Sequence, residues 1–445
     1  MSPHDQDLRT TLHRLADASE PLPVDDDLWG RARAAQRRSR VVLAAAVVAV
    51  VVAVGGGVAL WPTGDREART AAQEVPGGAI PSRIEDPGDL ESESNLSLGR
   101  ASAAFISESS EPVVITAADG LPHQLGLAGW VANGSDPDEI QVNQSLALSP
   151  DGRRLAWQAA DDQDGRATVG VLDLASGETS TFHPLPPRAG LRLREMSWSP
   201  DSAWLVFIAD DSPEVWVGRL RPGSDHDNRA NQLVGNVASV AVDPSGTIVL
   251  SRASGALERI HPAGDIATIA SRTDLDELAV GAGLFSPDGR YLAMRSSLGP
   301  ASFTFDTKKR VLRDHPFPDG TFSDAFVLPQ GWVDDRLQLL LVQTVSDREV
   351  AELVVTTPSV DATSTWRRSV GQVNGSIAGT LSLAVDLVPD LDGTSSQELT
   401  HDFGDTSGST RTFLGVELSL AIGLGVAAAI ALLMALRWLW RRLLG

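Results

Sequence analysis

Acidic side chains cluster at several points of this 445-residue sequence, and carboxylates are suited to bind a hard cation such as Ca²⁺. The clusters comprise Asp161, Asp162, Asp164, Asp210, Asp211, Asp225 and Asp227. None has the spaced D-x-[DN]-x-[DN]-G-x₅-E pattern of an EF-hand, and acidic residues are common at the ends of hairpins. We therefore interpret them as solvated turn residues and predict no metal site. A calcium-dependent melting shift would contradict this interpretation.

Other catalytic chemistry has little support in the sequence. The 8 histidines are scattered, and His226 lies in the polar stretch GSDHDN. Because the chain has 0 Cys, it has no thiolate nucleophile, disulfide or Cys-ligated metal. Neither G-x-S-x-G nor G-x-x-x-x-G-K-[ST] occurs. We predict no catalytic residue and no cofactor.

Four segments repeat one pattern, in which a turn joins two short apolar runs. They are SLALSPDGRRLAWQAADD (145–162), REMSWSPDSAWLVFIADD (194–211), SVAVDPSGTIVLSRASG (239–255) and GLFSPDGRYLAMRSS (283–297). Their prolines are 50, 44 and 43 residues apart, the length of a four-stranded propeller blade. A degenerate fifth copy spans 331–345, where Asp334 and Asp335 stand in place of the proline turn.

The turn sequence explains its position between two strands. Proline fixes φ at the second position of a type I turn, aspartate accepts hydrogen bonds from backbone amides, and glycine adopts the left-handed conformation that follows. The residues with these roles are Pro150, Asp151, Gly152, Pro200, Asp201, Pro244, Gly246, Pro287, Asp288 and Gly289. Apolar residues alternate on both sides, and no helical segment separates the copies. The sequence therefore predicts an all-β domain.

The number of blades follows from the repeats and from the chain ends. The last strand-like segment, 376–388, has no hairpin partner after it, whereas three strand-like segments at 100–107, 111–120 and 122–127 precede the first repeat. We predict that these ends meet in one composite blade, which closes a six-bladed β-propeller over residues 100–390. Seven blades remain an alternative if 298–330 contains another unit.

These repeats resemble the WD-repeat-like propeller repeats of bacteria, including the TolB-like kind, whose hallmark is a Ser-Pro-Asp-Gly turn. Residues 149–152 and 286–289 match this turn fully, 199–202 lacks the glycine, and 243–246 exchanges the first and third residues. The resemblance covers roughly residues 100–390. It implies a propeller that binds other proteins, and it supplies no catalytic residue.

Two apolar segments flank the propeller and predict membrane spans. The first covers 41–61, and the second, 414–436, contains 19 uncharged residues from Leu418 to Leu436. Five arginines precede the first span within 31–40, and three follow the second within 437–445. By the positive-inside rule, the tails 1–40 and 437–445 are cytoplasmic. This topology resembles that of two-span membrane proteins of GC-rich bacteria and places the propeller outside the plasma membrane, with linkers at 62–99 and 391–413.

Small residues recur at every fourth position of both predicted spans. They are Ala45, Ala49, Ala53, Gly57, Ala421, Gly425 and Ala429. Such stripes permit close packing of two helices, although alanine and glycine are also simply common in apolar spans.

In the N-terminal tail, Leu8, Leu12 and Leu15 have the spacing of a short amphipathic helix. The tail would be either a docking peptide for a cytoplasmic partner or an unstructured segment.

Charge separates the compartments and constrains the partners. Residues 62–411 hold 27 Lys and Arg against 50 Asp and Glu, so the acidity of the whole chain, net -21, belongs to the outer part. Such a surface repels phosphate backbones, which argues against nucleic acid as a partner.

We predict a membrane-anchored, extracytoplasmic, non-enzymatic module that binds or assembles proteins. The alternatives are a sensor that signals through the N-terminal tail and an enzyme with a site in the propeller funnel.

Overall fold

A computed structural model gives the structure of the protein. It describes residues 79–131, 145–160, 167–185, 192–211, 214–271, 279–296, 301–316, 324–334, 337–357, 367–390 and 396–404. All of these residues belong to one compact unit, Ala68–Gly445. Within them the chain forms 25 β-strands, one single-turn helix and one 3₁₀ turn, so this part of the protein is all-β.

Four antiparallel blades of four strands follow one another in chain order, and the last of them, blade 5, is joined to the blade after it by one pairing, Ser296 with Val327. Blade 2 contains β5 (Leu146–Leu148), β6 (Arg154–Ala159), β7 (Thr168–Asp173) and β8 (Thr179–Phe182). Blade 3 contains β9 (Arg192–Trp198), β10 (Leu205–Asp211), β11 (Glu214–Arg221) and β12 (Ser224–Val234). Blade 4 contains β13 (Val237–Val242), β14 (Ile248–Arg252), β15 (Leu257–Ile260) and β16 (Ile266–Ala270). Blade 5 contains β17 (Ala279–Phe285), β18 (Tyr291–Ser296), β19 (Ala301–Asp306) and β20 (Val311–Pro316).

The remaining two blades contain segments from both ends of the described residues. Blade 6 contains β21 (Ala325–Trp332), β22 (Gln338–Thr344), β23 (Val350–Thr356) and β24 (Arg367–Asn374), and β1 (Arg83–Ile84) pairs with β24 in parallel. Blade 1 contains β2 (Ala101–Ile106), β3 (Pro112–Thr116), β4 (Pro122–Gln124) and, as its innermost strand, β25 (Ser382–Leu383). This composite blade confirms the predicted closure of the ring. There are six blades, and the segment 298–330 contributes to blades 5 and 6 rather than to a seventh.

The innermost strands form a closed ring around the axis of the disc. Each of β25, β5, β9, β13, β17 and β21 contacts the next, and β21 returns to β25. Indole groups link neighbouring strands of this ring: Trp198 Nε1 donates to the carbonyl oxygen of Ala147 at 3.0 Å, and Trp332 Nε1 donates to that of Leu284 at 2.9 Å. Buried apolar side chains between the blades supply the hydrophobic stabilisation.

The segment 376–388 differs from the single strand that the sequence predicted. It consists of helix α1 (Gly375–Ala378), the two-residue strand β25 and a 3₁₀ turn (Val385–Leu387). The side chain of Asn374 accepts from the amide of Ser376 and begins the helix. Burial of its apolar residues next to polar ones produced the strand-like alternation.

Parts of both predicted linkers pack onto the propeller, which therefore extends beyond residues 100 and 390. Ala79, Ile80 and Ile84 are fully buried, and Leu399 is 3% exposed. Residues 80–82 pair in parallel with His401: its amide donates to the carbonyl oxygen of Ile80 at 2.7 Å, and the Ser82 amide donates to its carbonyl oxygen at 2.9 Å. The two ends of the described chain thus meet beside blade 6.

The predicted membrane spans, 41–61 and 414–436, lie outside the described residues, as does the N-terminal tail. In the described part of the chain, no helix has the length and apolar character needed to cross a bilayer.

Candidate functional site

The repeated turns form one set of loops on a single face of the disc. Strand order places the turn between the first and second strands of each blade at the same edge as the turn between its third and fourth strands. We call this side the turn face. The predicted turn residues of blades 2 to 5 all lie on it.

Hydrogen bonds within these turns use the predicted serine and aspartate side chains. In blade 2 the Ser149 hydroxyl donates to Asp151 Oδ1 at 2.6 Å and accepts from the Arg154 amide at 2.9 Å. The Asp151 carboxylate also accepts from the Arg153 amide at 3.1 Å. The turns at Ser199–Asp201 and Ser286–Asp288 repeat this pattern.

The turn of blade 4 also uses its serine and aspartate side chains in hydrogen bonds, although the two residues have exchanged positions in the motif. The Asp243 carboxylate accepts from the amides of Ser245 and Thr247 at 2.8 and 2.9 Å and from the Ser245 hydroxyl at 2.6 Å. Gly246 has φ +79°, as expected for the position that follows. In blade 3, Ser202 occupies this position with φ +57°, although it is not a glycine.

The turns also join neighbouring blades. The Ala101 amide of blade 1 donates to the Gly152 carbonyl oxygen of blade 2 at 2.8 Å, and the Asp151 amide donates to the Ser202 hydroxyl of blade 3 at 3.1 Å. Arg219 of blade 3 donates to the Gly246 carbonyl oxygen of blade 4, and its guanidinium stacks on Trp204 with 4.9 Å to the ring centroid. The turn residues therefore hold the disc together.

A buried ion pair crosses from blade 3 to blade 5. Glu195, on the innermost strand β9, is 3% exposed, and Arg295 Nη2 donates to its Oε1 at 2.8 Å. The amide of Val240, on the innermost strand of blade 4, donates to the same oxygen at 3.3 Å. One carboxylate therefore bonds to the two blades that follow its own.

At this site, burial and nearby positive charge have opposite effects on the pKa values of the carboxylates. Burial raises the pKa of Glu195, while Arg295, the Val240 amide and Arg194 oppose the rise. Arg194 Nε lies 3.1 Å from Asp210 Oδ2, and Arg194 also donates to the Val237 carbonyl oxygen. Burial likewise raises the pKa of Asp210, against the charge of Arg194. The Glu195–Arg295 pair could not be predicted from the sequence, because the two residues are 100 positions apart.

The other candidates from the sequence are only partly described. Asp161, Asp162 and Asp164 lie outside the described residues, as do the side chains of Asp211, Asp225, His226 and Asp227. The helix-packing candidates Ala45, Ala49, Ala53, Gly57, Ala421, Gly425 and Ala429 also lie outside them. Among the described residues, no three His, Asp or Glu side chains lie close enough together to hold a metal ion.

The fold defines the class of the protein as a six-bladed β-propeller closed by a composite blade. Neither a protein-family model nor a curated protein matches the sequence. Solved structures similar to it include TolB from Acinetobacter baumannii (13% identity, TM-score 0.36), where the match covers 61% of this chain and 66% of that one. The chain thus spans just under two thirds of that TolB chain.

Two further similar structures are a β-propeller domain and a chain of a protein complex. The β-propeller domain of Myceliophteria thermophila Cps50 (Swd1) has 13% identity and a TM-score of 0.35 over 52% of this chain and 71% of that one. A chain of the Mitotic Checkpoint Complex has 14% identity and a TM-score of 0.35 over 56% and 66%. At these values the comparisons are similarities of fold and decide nothing about function.

Proposed function

We propose that this chain is a membrane-anchored, extracytoplasmic propeller that acts as a non-enzymatic protein-binding or assembly module. Its lipid partner is the bilayer, which it contacts through two helices, and its protein partner binds the propeller surface. Propellers suit this role because a rigid ring of blades presents two faces of loops to other molecules.

The observation that carries the proposal is the use of the chemically capable side chains within the fold. The Glu195 carboxylate bonds to Arg295 and to a backbone amide, and the turn aspartates bond to amides of their own turns. The ion pair links blades and the aspartates stabilise their own turns, so these groups act within the fold. A surface built in this way supports recognition by shape and charge.

The anchoring part of the proposal is supported by the sequence and by the chain ends. The apolar segments 41–61 and 414–436 are flanked by arginines, which favours a hairpin with both tails in the cytoplasm. Pairing of Pro81 with His401 brings together the two chain segments that lead to these spans. A propeller held by two adjacent helices would be fixed close to the membrane.

Site-directed crosslinking of the full chain in its host membrane tests the binding role. Because the protein has 0 Cys, Ser346→Cys on the face opposite the turn face and Ala263→Cys on the turn face each give one reactive position. With a cysteine-specific photo-crosslinker, we expect a discrete protein adduct from at least one position. The captured protein, once purified, should bind the purified full chain again.

Gly152→Val provides the control, since it disturbs the contact of blades 1 and 2 and should abolish the adduct. If neither position yields a protein adduct and the purified chain converts a small substrate alone, the binding role is wrong and the enzyme alternative holds. If deletion of residues 1–28 abolishes a response to the captured partner, the sensor alternative gains support instead.

A further inference from the structure

Three consecutive cations protrude from an otherwise acidic propeller. Lys308, Lys309 and Arg310 form the turn between β19 and β20 in blade 5, and all three are exposed. They include both lysines of the sequence. Val311 follows them and is 45% exposed, so an apolar side chain lies beside the charges. We call residues 308–311 the cationic tip.

The carboxylate of Asp306, two residues before the cationic tip, is buried. Asp306 is fully buried and accepts from the amides of Lys308 and Lys309 at 3.0 and 2.9 Å and from Arg290 Nη2 at 2.9 Å. The Arg310 amide donates to the Asp306 carbonyl oxygen at 2.7 Å, and Arg310 has φ +57°. The turn backbone is therefore fixed, and the charged ends of the lysines are left to face outward.

The equivalent turns of blades 1, 2 and 4 have the opposite charge. Blade 1 has AADGL at 117–121, blade 2 has LASGE at 174–178 and blade 4 has HPAGD at 261–265, each with one acidic residue and no Lys or Arg. Blade 3 has one arginine at 221–224, whereas the tip of blade 5 has three cations. Turn geometry alone does not require cations here, because blades 1, 2 and 4 form the equivalent turn without Lys or Arg.

The C-terminal end of the described chain lies on the same face as the cationic tip. The ring of Phe403 packs directly on Gly120, in the turn between β3 and β4, where any Cβ atom would overlap it. From Gly404, nine residues (405–413) lead to the predicted span 414–436, a reach of at most about 30 Å. If the span crosses the membrane as proposed, the turn face lies within that distance of the bilayer.

We propose that the cationic tip binds the anionic headgroups of the bilayer that anchors the protein, so that the turn face is held toward the membrane; this inference depends on the membrane anchor of the proposed function. Each Lys or Arg near an anionic surface favours contact about fivefold, and three give on the order of a hundredfold. A hundredfold preference is too weak to recruit a free acidic domain to the membrane. It is sufficient for a domain that is already tethered there, because the tether keeps the tip at a high effective concentration near the headgroups. Exposed Val311 suits the boundary between headgroups and acyl chains.

The test uses the full chain reconstituted into lipid vesicles. A donor dye on Ala263→Cys, in the equivalent turn of blade 4, reports energy transfer to acceptor-labelled headgroups. Transfer should be higher in vesicles that contain phosphatidylglycerol than in pure phosphatidylcholine, and it should fall as salt shortens the Debye length. Lys308→Ser/Lys309→Ser should lower the ratio of contacting to free propellers about 30-fold. The control Arg83→Ser/Arg348→Ser removes the same charge from two exposed arginines elsewhere and should behave as wild type.

The possible results distinguish headgroup binding, the membrane anchor and binding of an acidic protein. Equal transfer in both lipids, with the chain still inserted, overturns the headgroup proposal but not the anchor. A chain that does not float with phosphatidylcholine vesicles contradicts the anchor itself. Soluble polyglutamate that binds wild type but not the lysine variant, without any lipid effect, assigns the cationic tip to an acidic protein and also overturns the proposal.

Discussion

Aspartate has one role at two different positions of the repeated turns. Asp151, Asp201 and Asp288 occupy the third position and Asp243 the first, yet each carboxylate accepts from backbone amides of its own turn. The physical requirement is a carboxylate close to those amides, not a fixed order of residues. This is why the turn of blade 4 could be predicted from the sequence despite its exchanged motif.

Two glycines with similar backbone conformations should respond differently to alanine. Gly264, at φ +100°, has open space around its Cβ position, so Gly264→Ala should cost about 1 kcal/mol of unfolding free energy. Gly152, at φ +69°, faces the Ala101 backbone carbonyl, which cannot move aside. We expect Gly152→Ala to cost at least about 3 kcal/mol in denaturant titrations. Equal losses would contradict the docking of this turn on blade 1.

His315 makes stability depend on pH. Its side chain on β20 is 3% exposed; burial, helped by the charge of Arg313, lowers its pKa from 6.5 to about 4. Between these values the unfolded chain binds a proton that the folded protein does not. The free energy of unfolding should therefore fall as pH decreases from 6.5 to 4, by on the order of 3 kcal/mol from this residue.

The measurement compares wild type with His315→Gln in denaturant titrations at pH 7 and pH 4.5. The variant should lose less stability on acidification. Glu195, Asp210 and Asp386, whose pKa values burial raises, contribute in the opposite direction, and this contribution cancels in the comparison. If both proteins lose the same amount, His315 does not act as described.

Strands with a repeated pattern were predictable, whereas elements held by single long-range contacts were not. The signature turns and alternating residues predicted β5 and β6 and their counterparts in blades 3 to 5. The segments 79–99 and 396–404 have no periodicity, because they cross the edges of several blades instead of forming one. Their packing depends on individual residues such as Ile84 against β24 and Phe403 against Gly120.

The ion pair between β9 and β18 should act as a link between blades. Glu195→Leu leaves Arg295 without this buried carboxylate and should cost about 3–5 kcal/mol of unfolding free energy. Glu195→Leu/Arg295→Met should recover most of the loss, because an apolar pair of similar size removes the desolvation cost. The matched control is Glu258→Leu, which breaks a pair with Arg252 inside blade 4 at 2.7 Å and should cost less. A Glu195→Leu protein as stable as wild type would contradict the link.

At the scale of the whole molecule, the sequence predicted the closed ring because its ends carried complementary parts of one blade. The site was less predictable, since the Glu195–Arg295 pair and the inward orientation of Asp306 depend on distances that no motif encodes. The structure also refines the charge distribution of residues 62–411. Their acidity is not uniform, because the cationic tip interrupts it on the turn face, where the described residues end at Gly404.

The most direct test of a membrane-anchored propeller outside the cell is single-cysteine labelling of the full chain in intact host cells. Ser346→Cys, exposed on the face opposite the turn face, and Ser19→Cys, in the N-terminal tail, are each treated with a membrane-impermeant maleimide. We expect the membrane fraction to contain both proteins, Ser346→Cys to be labelled in intact cells and Ser19→Cys to be labelled only after lysis. Labelling of Ser346→Cys only after lysis, or recovery of the chain in the soluble fraction, would contradict this expectation.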